Sequence, residues 1–327
     1  MSIATDLTRL QTAKADLKTA IEGKGVTVPS ATKIDGYADL VDSIETGGGG
    51  IAADDIAKRT ILGGISLSNS VTKIKDYAFN ACSGITSASG AEVTSIGQMA
   101  FSYCTKLKSV NFPKLSTIGN DCFRECTKIE DADFSNISTI TSGGFRHASL
   151  KGCLIDPVAV NDSAFRDALN MTKSHFSKLT TVNQSYAFAG AFLSTDGNAP
   201  TALVFPRITG GLGSNYAFAY NSKLEAIDFG LLTKVSAYSF YNCSAFNILI
   251  IRTSTLATLQ DSNSPFQNTP FASGGTGGTL YVPSALVSSY QSATNWSTVL
   301  GYANNQILPI EGSIYETQYA DGTPISA

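Results

Sequence analysis

A phrase of nine residues written three times constrains this chain more than anything else in it. Ile74-Lys75-Asp76-Tyr77-Ala78-Phe79-Asn80-Ala81-Cys82 is followed by Ile96-Gly97-Gln98-Met99-Ala100-Phe101-Ser102-Tyr103-Cys104 and by Ile118-Gly119-Asn120-Asp121-Cys122-Phe123-Arg124-Glu125-Cys126. Phe79, Phe101, Phe123 and Phe145 stand 22 residues apart each time. A fixed period of this length marks a solenoid, in which one short unit stacks on the next because none can bury its apolar side chains alone.

The repeated slots show how one coil is built. An aliphatic residue lies five before each Phe, Cys or a small residue three after, and a second aliphatic (Ile85, Leu107, Ile129) six after. The segment around the Phe has helical or turn-like spacing. The unit closes on an alternating run, Leu107 to Phe112 and Ile129 to Phe134, which predicts a half-buried strand, with Pro113 at its exit. Cys82, Cys104, Cys126 and Cys243 share one slot in separate coils and are expected to stack as small buried thiols. Cys122 and Cys153 lie outside that ladder and are expected to be free, with a disulfide between them as the alternative. Cys122 and Cys126 have no second pair and no matching His, so no metal site is expected.

The pattern I-G-x-x-A-F-x-x-C-x-x-L-x-x-[VI]-x-F-P, met in Ile96 to Pro113, resembles the BspA-type leucine-rich repeat. Weaker copies follow at Val160/Phe165, Tyr186/Phe188, Tyr216/Phe218 and Val235/Phe240/Cys243. Spacings of 20, 23 and 30 residues from Phe145 to Phe218 imply insertions, among them Ser194–Pro200. The resemblance covers roughly residues 60 to 310 and implies an α/β solenoid, right-handed and curved, with a strand-lined face. The order Gly278 to Pro283, Ala285 to Gln291, Asn295-Trp296-Ser297 and Gln306 to Ile310 resembles the closing module of such proteins. There Ser284 is placed to N-cap the helix, Trp296 to pack, and the module to cover the last coil's open edge.

The first 46 residues are a different object. Ile3, Leu7, Leu10, Lys14, Leu17 and Ile21 are spaced 4, 3, 4, 3, 4, a heptad seam ended by Gly23 and Gly25. A second short helix is expected over Asp35 to Ile44. So short a seam needs a partner, so Ile3, Leu7, Leu10, Leu17 and Ile21 predict a homotrimer, with a dimer as the alternative and a cap on the chain's own solenoid as the plainer reading. The expected organisation is therefore a helical oligomerisation segment (1–46), a Gly-rich linker (47–59), the repeat solenoid (60–273) and a C-terminal capping module (274–327). Leu10 to Lys18 and Ile34 to Ala38 also resemble the leader of tail-appendage proteins from phages and prophages of Gram-positive gut bacteria. The N-terminus lacks the basic and apolar regions of a signal peptide, and no cell-wall sorting signal is seen at the C-terminus. Both fit a virion protein released by lysis.

Composition removes other classes. A formal charge of −3 with only 23 Lys and Arg argues against nucleic acid as a partner. No apolar run is long enough to span a bilayer, so no membrane insertion is expected. His147 and His175 are the only histidines and neither stands in a catalytic motif. The glycine-rich stretches lack the Lys-Ser/Thr of a phosphate loop, and Glu130, Asp131 and Asp133 read as a solvated acidic face. No cofactor and no enzymatic activity are expected.

What remains is surface. Arg124, Arg146 and Arg166 occupy the slot one after the Phe in three successive coils, a candidate anion-binding stripe, with His147 in the outward-facing slot beside it. Tyr103, Tyr220 and Tyr241, with Asn242 and Asn221, offer flat apolar faces beside amides, a combination suited to sugar or protein. Tyr77, Tyr186, Tyr216 and Tyr238 repeat two before the Phe and are assigned to structure. The expectation is a phage tail fibre or receptor-binding protein of the virion, with other virion proteins and a host cell-surface glycan or protein as partners. A bacterial cell-surface adhesin is the first alternative and a purely structural virion component the second.

Overall fold

A computed structural model describes residues 59–193, 198–262, 264–302 and 304–325. The heptad residues Ile3, Leu7, Leu10, Leu17 and Ile21, the second short helix, the glycine linker and most of the insertion at 194–200 lie outside these.

Every strand of the repeats pairs in parallel with its counterpart one coil away. Short strands form one ladder, in which Ile74 pairs Ile96 and Ile96 pairs Ile118, and Ile140 pairs Val160, which pairs Val182. The closing run forms the second ladder. It holds Gly63–Ser66, Ile85–Ser89 and Ser109–Asn111 in the first coils. Ala202–Phe205, Ala226–Phe229, Ile248–Ile251, Thr279–Val282 and Gln306–Pro309 form a five-stranded sheet in the last. Helix among the described residues is confined to Val287–Ser292, Trp296–Leu300 and short 3-10 turns. The coils are therefore sheet and turn rather than α/β, and the segment around each Phe is a turn.

Two local expectations are corrected. Ile129 to Phe134 is not a strand: Asp131 adopts a left-handed conformation (φ 53°), leaving only isolated bridges at Glu130 and Asp133. Ser284 caps no helix with its side chain; it opens a 3-10 turn that runs into Val287–Ser292.

The core is a column of rings. Phe79, Phe101, Phe123, Phe145, Phe165, Phe188, Phe218, Phe240 and Phe266 stack one coil on the next with centroids 5.1 to 6.1 Å apart. All are buried. Each such pair is worth about 0.5–1.5 kcal/mol beyond the area it buries. The column includes Phe266, a coil the repeat pattern does not announce. At the far end Trp296 is buried and its indole N–H donates to Ala257 O at 2.7 Å.

The turns stack as closely as the rings. A Cβ on Gly119 would collide with the backbone of Gly97 and Gln98 in the preceding coil, which explains the glycine after the first aliphatic. Backbone cannot yield as a side-chain tip can, so Gly119→Ala is expected to destabilise the chain by about 1–3 kcal/mol. Denaturant unfolding of the variant checks this, and an unchanged midpoint would contradict it.

A buried ion pair ties the C-terminus down. Arg252 Nε and Nη2 donate to Asp228 Oδ1 and Oδ2 at 2.8 and 2.7 Å. The same guanidinium donates to Tyr315 O and Gln318 O, and Ala320 N–H donates to Asp228. Residues 310–320 are thereby held against the outer face of the five-stranded sheet, where Ile310 and Tyr315 pack on Ile250 and Tyr281. Burial raises the Asp228 carboxyl despite the hydrogen bonds and charge of Arg252. Removing Arg252 leaves an uncompensated buried carboxylate, so Arg252→Leu is expected to cost about 3–5 kcal/mol at neutral pH. The folded pKa of Asp228 then lies further above its unfolded value. The lost stability should therefore return as pH falls through that raised folded pKa. Unfolding midpoints of the variant measured from pH 7 down to pH 4 test the sign, and a loss that deepens on acidification would refute it.

Candidate functional site

The candidate residues belong to turn slots that the backbone conformation sets. Two residues before and two after the Phe, the chain turns left-handed: Asp121 and Glu125 flank Phe123, Tyr216 and Tyr220 flank Phe218, Tyr238 and Asn242 flank Phe240, all with positive φ. These slots, with the one directly after the Phe, put their side chains along one edge of the stacked turns.

At the early end Tyr103 is exposed (38%), and the Arg124 guanidinium lies 5.3 Å from its ring centroid. Arg124 and Arg146 are half-buried. Their Nε atoms are fully covered and have no hydrogen-bond partner among the described residues. Arg166 sits 4.7 Å from the Tyr186 ring, with its Nε 3.4 Å from Asp167 Oδ2. Beside the arginines runs a second ladder: His147 Nδ1 lies 3.3 Å from Glu125 Oε1 and its Nε2 3.4 Å from Asp167 Oδ2. His147 is thus bracketed by carboxylates from the coils on either side, and part of the arginine charge is balanced locally.

Tyr186 joins this stripe to the aromatic one. Its ring stacks on Tyr216 at 4.9 Å, and Tyr216 stacks on Tyr238 at 4.7 Å, with planes within 5°. Tyr241 stands edge-on to Tyr216, Tyr220 and Tyr238. Tyr220 is exposed (41%), and Asn242 accepts from Asn268 Nδ2 at 2.6 Å. The tyrosines assigned to structure on their regularity therefore form the spine of the surface that carries Tyr220, Tyr241 and Asn242. Burial, then the neighbouring phenols, raises the Tyr216 and Tyr220 hydroxyls above the usual tyrosine value.

Asn221 does not belong to this surface. It is buried in the cysteine slot, where Nδ2 donates to Phe188 O and Phe218 O at 2.9 and 2.7 Å and Oδ1 accepts from Phe192 N–H. Cys104, Cys126 and Cys243 make the simpler version of the same contact: each thiol points at the Phe carbonyl of the coil before, Phe79, Phe101 and Phe218, at 3.0–3.1 Å. All six cysteines are free and buried. Burial pushes Cys104 and Cys243 up to about 12 and Cys153 to about 11, which suppresses the thiolate needed for nucleophilic chemistry. The other pairings the sequence reading missed are Asp228 with Arg252 and His175 with Asp321 (3.5 Å). The first had a legible signal, a carboxylate inside the apolar run Ala226-Ile227-Asp228-Phe229 with an arginine one coil later.

Asn221→Ala removes the acceptor of the buried Phe192 N–H and a donor to Phe188 O and Phe218 O, so it is expected to lose about 1–3 kcal/mol. Asn221→Cys, restoring the ladder's usual donor, should lose less. Thermal unfolding of the two variants decides, and equal losses would reject this account of the slot.

The family model described as the BspA type leucine rich repeat region (6 copies) matches residues 57–157 and 158–270. No curated protein matches the sequence. Among solved structures, a leucine rich cell surface protein from Faecalibacterium prausnitzii aligns over 84% of this chain and 85% of its own, with 16% identity and a TM-score of 0.39. A leucine-rich repeat protein from Bacteroides ovatus aligns over 80% and 79%, with 15% identity and a TM-score of 0.41.

Proposed function

The chain belongs to the BspA-type leucine-rich repeat family, and from that premise we propose that it is a non-enzymatic binding protein displayed on a surface. Its recognition edge is the run of Tyr103, Arg124, Arg146, Arg166, Tyr186, Tyr216, Tyr220, Tyr238 and Tyr241. The observation that carries this reading is the stacking along that edge: Arg124 lies on Tyr103, Arg166 on Tyr186, and Tyr186, Tyr216 and Tyr238 stack over successive coils. Rings and guanidinium groups held in register supply flat apolar area and directional hydrogen bonds at small conformational cost. Such chemistry fits a glycan or protein on a host surface. Two histidines held against carboxylates and six buried, high-pKa thiols support the non-enzymatic reading.

Two settings use the edge alike. In a phage tail appendage, Ile3, Leu7, Leu10, Leu17 and Ile21 assemble three chains on one stem, and avidity multiplies weak contacts. The wording of Leu10 to Lys18 and Ile34 to Ala38 favours this setting. A bacterial cell-surface adhesin is equally served by the repeat family.

Light scattering of the full chain and of a chain starting at Ile51 separates them: a trimer that becomes a monomer is expected of the appendage, and a monomer in both removes the stem. Labelled full chain is expected to bind Gram-positive gut bacteria in the appendage setting and mammalian epithelial cells in the adhesin setting. In either, Arg124→Ala/Arg146→Ala/Arg166→Ala should weaken binding at least about tenfold, equivalent to about 1.4 kcal/mol. Binding to neither cell type, or no loss in the triple variant, would sink the proposal for this edge.

A further inference from the structure

The tyrosine ladder ends abruptly, and a cleft opens where it ends. Tyr186, Tyr216 and Tyr238 stack ring on ring, with Tyr186 and Tyr216 each covered by a ring from the next coil. The coil after Tyr238 carries Ser264 in that slot, two residues before Phe266. Tyr238 is stacked by Tyr216 on one face and met edge-on by Tyr241, and it lines a cleft of about 610 Å³ that Ser264 also lines. A fourth ring is what the ladder lacks at this point.

The rest of the lining decides what kind of ring. Tyr302 contributes a second aromatic surface, and Asp261, Gln267, Asn268 and Ser273 contribute polar groups. The Asp261 carboxylate accepts from the Ser264 N–H and hydroxyl, which fixes its orientation. Asn268 is held left-handed (φ 61°) with its Nδ2 donating to Asn242, so its side chain is oriented too. The Gln267 side-chain amide is exposed and has no hydrogen-bond partner among the described residues. Neither Lys, Arg nor His lines the cleft, so it has no complement for a phosphate, sulfate or uronate. Aromatic faces beside oriented amides, a carboxylate and hydroxyls bind a ligand that has an apolar face and a rim of hydroxyls.

The geometry points to a saccharide site at the end of the ladder, in which a neutral pyranose ring packs against the Tyr238 ring where it lines the cleft and its hydroxyls meet Asp261, Gln267 and Asn268. This rests on the surface-recognition reading only in using the same edge, since the arginine stripe lies several coils away. The site takes uncharged sugar, whereas the stripe suits charged or protein ligands.

Saturation-transfer NMR on the full chain tests it with methyl β-galactoside, methyl α-glucoside and methyl N-acetyl-β-glucosaminide, each at about 10 mM, a concentration that populates millimolar sites. At least one neutral glycoside is expected to give ring-proton signals exceeding those of galacturonate. Tyr238→Ala and Gln267→Ala should each reduce them at least fivefold, and Tyr238→Phe, which keeps the ring, should retain them. Gln267 is exposed, so its variant reports on binding even if Tyr238→Ala fails to fold. No signal from any of the three glycosides, or signal that survives Gln267→Ala and Tyr238→Ala, overturns the assignment. Cell binding lost in the triple arginine variant, together with silent glycosides, would remove this site and leave the edge.

Discussion

The structure depends on a ladder of backbone hydrogen bonds between turns. In the coils from Phe79 to Phe218 the N–H groups two before, at and two after the Phe donate to carbonyls of the following coil. Asp121, Phe123 and Glu125 donate to Ser142, Gly144 and Arg146, and Gly143, Phe145 and His147 to Asp162, Ala164 and Arg166. Every such bond lies next to a buried ring, where an unpaired N–H would cost about 1–3 kcal/mol. The ladder requires the left-handed residues on both sides of the Phe, which cost roughly 1–2 kcal/mol each outside glycine. The hydrogen bonds and the Phe column must together outweigh that cost, so no coil folds by itself.

The same constraint creates the recognition edge. A left-handed residue beside a buried Phe turns its own side chain out of the stack. The slot three after the Phe therefore keeps to small or internally bonded residues (Cys, Ala, Asn221, Thr269), while the slots two before and two after the Phe accept Tyr, Met, Asp, Glu, His and Asn. At 5 to 6 Å per coil, side chains in one slot stand at stacking or ion-pair distance from their counterparts. That is why Glu125, His147 and Asp167 meet, and why three tyrosines lie face to face.

How much of this was legible follows from where the period holds. From Phe79 to Phe145 the spacing is constant, and the stacking of coils and the buried thiol slot could be read directly, although a left-handed turn at Asp131 replaces the strand that the alternation of Ile129 to Phe134 suggested. Phe266 was missed because it lies 26 residues beyond Phe240 and its slot partner is Thr269 rather than Cys. Asn221 was read as surface because amides usually are. In the cysteine slot it is a buried donor to the Phe carbonyl of the preceding coil, and only the slot, not the residue type, says so. Tyr186, Tyr216 and Tyr238 showed a regularity that suits either core or surface, and the left-handed backbone decides for the edge. The clasp of Arg252 on Tyr315 and Gln318 spans more than 60 residues, and no repeat pattern encodes a contact between a coil and the segment after the last one.

That clasp also bears on where recognition takes place. Over the later coils the outer face of the long-strand sheet is covered by residues 310–320 and by the His175–Asp321 pair, so that face is closed by the chain itself. Over the first coils the corresponding outward positions are Gly64, Ser66, Ser87, Ser89, Ser109 and Asn111, small groups with neither ring nor charge. Between these ends the strand face carries Lys108 paired with Glu130 at 2.6 Å, a charge balanced within the chain, and the exposed Leu154. The turn edge, by contrast, has arginines at one end, stacked phenols along its middle and an aromatic, amide-lined cleft beyond them. Rings and guanidinium groups gather there because the left-handed slots beside each buried Phe point their side chains out of the stack.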